Sequence, residues 1–157
     1  GAFRRDREHD QIAAALSLIP PEAGVATINR FGAHLSRRRV LLPLEYPPPL
    51  RLDHLRQVDY VLLDLVDCRA VEAEDRRQAY AELVGHVLAT GDFRVAYRAE
   101  RIVVLARGPL PEDAGCVALS ASGLPGCATG AACARTELCR VAEAVAELAA
   151  QGRPCWP

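Results

Sequence analysis

The chain has 157 residues, enough for one domain, or one domain with an appendage, around a substantial core. Half of it is hydrophobic, a quarter is charged and the formal net charge is −1, which excludes a disordered chain and weighs against nucleic-acid binding driven by overall charge. Its basic residues are all arginine, so the choice of arginine over lysine carries no information about any one site. Methionine is absent and the chain opens Gly-Ala-Phe, as expected of a processed chain or of a fragment of something longer.

In chain order, Ile12, Leu16 and Ile19 predict a helix over Asp10 to Ile19, stopped by Pro20-Pro21. "GVATI", Gly24 to Ile28, reads as a strand, and Asn29 to Ser36 as a short helix with Phe31 and Leu35 on one face. The arginines at 37 to 39 follow that helix at its negative end, where cations are favoured for structural reasons; a phosphate would prefer the other end. Val40 to Leu44 is a second strand, and "EYPPPL" must be irregular because proline lacks the amide donor.

"VDYVLLDLVD", Val58 to Asp67, is the strongest strand signal, a nearly continuous apolar run bounded by acids. Asp75 to Thr90 carries one helical stripe, with Gly91 placed as its C-terminal cap. Phe93 to Tyr97 and Ile102 to Ala106 predict a hairpin turning near Ala99-Glu100. Pro109 to Ala134 has no sustained period and is expected to be a loop or tail, and its uncharged part is too broken by glycine and proline to span a bilayer. Leu138, Val141, Ala142, Val145, Leu148 and Ala149 then predict an amphipathic helix closing at Gly152.

This order predicts an α/β fold: a three-layer Rossmann-like sandwich on a mainly parallel sheet, with an antiparallel C-terminal hairpin and an extra C-terminal helix. The expected division is 10–108 for the α/β domain, and 109–157 for a Cys/Gly/Ala-rich connection and helix either packed on it or mobile. Six cysteines, Cys68, Cys116, Cys127, Cys133, Cys139 and Cys155, permit complete pairing in many connectivities, among which the sequence does not choose. There is no CxxC, and the histidines lie far from the cysteine cluster, so no zinc or other metal site is expected. Disulfides in an oxidising compartment, mixed with buried thiols, are the plain alternative.

The motifs "LIPPEAGVATINRFGAHLSRRRVLLPL", "VDYVLLDLVD" and "GDFRVAYRAERIVVLARG" together resemble the C-terminal region of a family of predicted polytopic bacterial membrane proteins of unknown function. That family is regarded as similar to C-type glycosyltransferases, which use lipid-phosphate-linked sugars. The resemblance covers Leu16 to Gly108 and stops at Pro109. It implies a soluble extracytoplasmic module of a membrane protein, without a catalytic centre of its own. Its expected partners are the membrane-embedded remainder of the same polypeptide and a glycan or lipid-linked sugar.

In a parallel α/β sheet, ligands bind at the carboxyl ends of the strands. Those ends carry Asn29, Arg30, Glu45, Tyr46, Asp64 and Asp67, a rim with both signs of charge that suits a sugar or a polar headgroup; His34, on the short helix, joins it as a binding candidate. The competing account is that Asn29, Asp64 and Asp67 cap the elements next after their strands, and that His34 packs under a neighbouring strand. Asp64 and Asp67 could also form a carboxylate pair, which makes a free-standing small hydrolase or transferase the rival function and a structural interaction module the third. His34 and Ser36 sit two apart on a helix, where side chains diverge, so no nucleophile and base pair is expected there. No phosphate loop occurs and no cofactor is expected. The alternation in "DFRVAYRAER" reads as an edge hairpin protected by charge, not as a nucleic-acid platform.

Overall fold

The computed structural model describes residues 2–28, 31, 35, 41–44, 52–65, 74–108 and 115–151. Three α-helices, α1 (Ala2–Ser17), α2 (Glu74–Ala89) and α3 (Glu137–Gln151), accompany a five-stranded sheet and a two-stranded one. The large sheet is built from β1 (Val25–Thr27), β2 (Leu41–Pro43), β3 (Tyr60–Asp64), β4 (Phe93–Arg98) and β5 (Ile102–Arg107), in the order β2-β1-β3-β5-β4. The small sheet is the hairpin β6 (Val117–Leu119) and β7 (Pro125–Cys127).

A mainly parallel Rossmann-like sandwich is not what forms. β1 runs parallel to β2 and to β3 with three registered residue pairs at each junction, whereas β5 runs antiparallel to β3 and to β4 with five at each, so most of the pairing is antiparallel. The cause lies in where the hairpin enters. After β3 the chain passes through α2 and lays β4 at the far edge. β5 then turns back into the gap between β4 and β3, so the antiparallel strand stands inside the sheet and not at its rim. A second departure is the β6–β7 hairpin, which occupies the stretch expected to be a loop or tail.

Burial explains why the interior strands read as they do. Val61 to Asp64 in β3 and Ile102 to Ala106 in β5 are buried without interruption, as required of strands covered on both faces. β4 instead alternates: Phe93 is buried while Arg94, Ala96 and Arg98 are exposed. A register shift between Val95 and Tyr97 bulges this strand, and bulge and arginines together discourage a foreign strand from pairing with the edge.

α1 starts at Ala2, not Asp10, so the charged run is helical; it stops where Pro20-Pro21 cannot supply amides. Its Ala15 and the following Ile19 enter the core beside β5, with Ile12 and Leu16 partly buried against it. α2 ends as its sequence requires, with Gly91 at φ +73°, a conformation that costs glycine nothing. The short helix expected over Asn29 to Ser36 falls outside the described residues except for Phe31 and Leu35, both of which are buried.

The C-terminal piece is packed on the α/β body. α3 lies against α2 and β7, and Val117, Leu138, Val141, Ala142, Val145 and Ala149 belong to the same core as the large sheet. Burying each valine or leucine of that stripe contributes on the order of 1.5–3 kcal/mol. Thr136 begins the helix as an N-cap, its Oγ1 accepting from the Cys139 amide at 3.2 Å while donating to the Cys133 carbonyl at 2.9 Å.

Candidate functional site

β2, β1 and β3 are adjacent and parallel, so their carboxyl ends lie along one edge of the sheet. The residues that end them are apolar and buried: Ile28, Leu44 and Leu65. They are tied by the Leu44 amide donating to the Thr27 carbonyl at 2.7 Å, and by Thr27 Oγ1 donating to the Leu62 carbonyl at 2.9 Å. Among the described residues this edge is therefore a closed apolar floor. Of the polar rim expected from the sequence, only Asp64 is described; Asn29, Arg30, His34, Glu45, Tyr46 and Asp67 lie outside the described residues.

Asp64 is fully buried and its carboxylate is already occupied. Arg101, in the turn just before β5, donates Nε–H to Oδ1 at 2.9 Å and Nη2–H to Oδ2 at 2.7 Å, the two-point geometry that suits a carboxylate best. The Tyr80 hydroxyl of α2 donates to the Asp64 backbone carbonyl, and the Leu65 amide donates to the Arg101 carbonyl at 2.7 Å. The cluster closes the end of β3 onto α2 and the β4–β5 turn. A carboxylate held this way is poorly placed to exchange a proton with a ligand, since leaving the guanidinium would strand its charge in the interior.

Arg101 and Tyr80 do not stand out in the sequence as partners of Asp64. The register supplies the link: Asp64 pairs with Ile102, so the residue before β5 must come near the end of β3. The competing account of Asp64 as a cap gives way to this cross-strand ion pair. A second arginine, Arg107, anchors the other end of β5. Its Nε–H donates to the Val58 carbonyl at 2.9 Å, its Nη2–H to the Leu55 carbonyl, and its guanidinium lies 4.8 Å from the Phe93 ring centroid.

The cysteines resolve into two bridges among the described residues, Cys116–Cys133 and Cys127–Cys139, with Cα atoms 5.1 Å apart in each. Cys68 and Cys155 lie outside the described residues. The bridges interlock in sequence, each enclosing one end of the other, and both join the hairpin to the approach of α3. Beside them, Glu137 at the start of α3 accepts from Arg98 Nε–H at 2.8 Å and from Arg140 Nη1–H at 3.1 Å. The bond from Arg98 is the chief reason that its carboxyl is held below the usual carboxylate range, with the charges of both arginines adding to it. Among the described residues no group of three metal-ligating side chains gathers, and no helix is long and apolar enough to cross a membrane.

Fold and site together define a mixed-sheet α/β domain whose hairpin and last helix are clamped by two disulfides. Against protein-family models, curated proteins and solved structures alike, the chain finds no match.

Proposed function

We propose that this chain is a non-catalytic accessory domain of a membrane-embedded, glycosyltransferase-like protein, standing on the extracytoplasmic side, where it helps hold the acceptor or the glycan product. The observation that carries the reading is the state of Asp64. The one candidate acid among the described residues is 0 % exposed and spent in a two-point pair with Arg101, which suits a structural role and not turnover. The two disulfides support an oxidising compartment, and the resemblance over Leu16 to Gly108 supplies the parent class. Ligand contact falls to the strand-end edge beyond Ile28, Leu44 and Leu65, where the chain carries Asn29, Arg30, Glu45 and Tyr46.

The test is made on the purified chain. Incubated with lipid-phosphate-linked sugars and oligosaccharide acceptors it should form no product, while oligosaccharides should shift amide resonances of Ile28, Leu44 and Leu65 more than those of α3. Transfer or hydrolysis by the purified chain would overturn the accessory reading. Shifts confined to α3 and the hairpin would move ligand contact away from the strand ends.

A further inference from the structure

We propose that the β6–β7 hairpin is a redox-gated cover over the α2 face around Gly85: the two disulfides seat it on the helix, and a dithiol reductant releases it while the five-stranded sheet and α3 stay in place. The hairpin is too small to hold itself. Each strand has three residues, and an isolated two-stranded hairpin is marginal in water even when longer. From Val117 to Cys127 only Val117 and Pro125 are buried. α3, by contrast, buries seven residues, Leu138 through Ala149, and keeps that apolar attachment whatever the state of the cysteines.

What fastens the hairpin is covalent and sits at its two ends. Cys116 leads into β6 and is bonded to Cys133 in the turn before α3; Cys127 ends β7 and is bonded to Cys139 in the first turn of α3. Thus both ends of the hairpin are pinned to the one element that would remain packed. The seat beneath is tight. A Cβ on Gly85 would stand 2.7 Å from Leu119 Cδ2 and 3.1 Å from Pro125 Cβ, and one on Gly123 would stand 2.8 Å from Glu82 Oε1. Lifting the hairpin uncovers Glu82, Gly85 and His86, the last with Nδ1 2.7 Å from the Glu82 carbonyl oxygen.

Cys116 and Cys139 are buried, whereas Cys127 and Cys133 are partly exposed, so each bridge offers one sulfur to attack. A thiolate of the reductant bonds to Cys127 or Cys133 and the bridge breaks; Cys139 or Cys116 leaves with the electron pair and takes a proton. The second thiol of the reductant then displaces the first cysteine from the mixed disulfide. Each bridge ends as a pair of thiols and each dithiol as its cyclic disulfide.

Hydrogen exchange read by mass spectrometry tests this on the whole chain, oxidised and in excess dithiothreitol, with alkylation of a parallel sample confirming that both bridges are open. Because Cys68 and Cys155 are reduced too, a variant carrying Cys116→Ser, Cys127→Ser, Cys133→Ser and Cys139→Ser isolates the two bridges. Reduction and the variant should both lower protection over Val117 to Cys127 and Glu82 to His86 by roughly tenfold or more, with β3, β5 and α3 unchanged. Retained hairpin protection after complete reduction overturns the proposal. So does joint loss of protection in β3 and β5, which would make the bridges staples of the whole fold and not a local latch.

Discussion

Arg101 and Asp64, 37 residues apart in sequence, meet through two parallel hydrogen bonds in which one partner is fully buried and the other is 25 % exposed. That asymmetry sets the cost of breaking the pair. Arg101→Ala leaves a carboxylate in the interior with its principal counter-charge gone and should cost about 3–5 kcal/mol of unfolding free energy. Asp64→Asn removes the buried charge, leaves Arg101 its access to water, and should cost less, about 1–3 kcal/mol. Urea unfolding of both variants checks the order, and an Arg101→Ala chain as stable as the parent would contradict it.

Gly85 lies in the middle of α2, where alanine would ordinarily be the better helix former by about 1 kcal/mol. Here the order should reverse. The added methyl meets Leu119 at 2.7 Å and Pro125 at 3.1 Å, so Gly85→Ala should destabilise by about 1–3 kcal/mol through overpacking. A raised melting temperature for Gly85→Ala would show that the hairpin does not press on the helix.

Glu137 brings a pH dependence whose sign is set by its lowered pKa. A carboxyl with a folded-state pKa below its unfolded value adds stability that is fully present above the unfolded pKa and is lost as pH falls through the folded one. Glu137→Gln should flatten the stability curve on the acid side of the ordinary carboxylate range and leave its response to more alkaline pH alone. Because the glutamate is about half exposed, solvent screening holds the effect to about 1 kcal/mol or less. Unfolding midpoints taken across that range for parent and variant provide the check.

Arg107 fixes the turn Leu52–Gln57 to the sheet through two carbonyls and one ring. Arg107→Lys keeps the charge but cannot present the same fork, and should lose about 1.5–3 kcal/mol, the usual worth of a charge-assisted hydrogen bond. Proteolysis under native conditions should then cut first near Leu55. A Lys variant equal to the parent in stability and in cleavage pattern would argue against the fork.

Much of the α/β body is legible in the sequence because its elements carry their own periodicity. α2 has a full apolar stripe and a glycine stop, β3 an unbroken apolar run, and the β4–β5 pair two runs with a polar turn. Sheet order is not legible in the same way. A hairpin looks identical in sequence whichever of its strands enters the interior, and the placement of β5 beside β3 depends on long-range pairing that no local pattern encodes. β6 and β7 escape detection because three-residue strands made of small residues and proline have no period, and their order rests on α2 below and on two covalent bonds. At the candidate site, Asp64 stands out as an acid ending a strand, but its partner belongs to a turn on the far side of a helix in the chain order, so the ion pair becomes visible only with the register.

The interlocked order of the bridges also governs how the C-terminal region answers a protease. A nick between Cys116 and Cys127 leaves the fragments joined through Cys116–Cys133; one between Cys127 and Cys133 leaves both bonds across the break; one between Cys133 and Cys139 leaves Cys127–Cys139. No single cleavage from Val117 to Leu138 can shed α3 from the body, and a nicked molecule would still travel as one piece until its sulfurs were reduced.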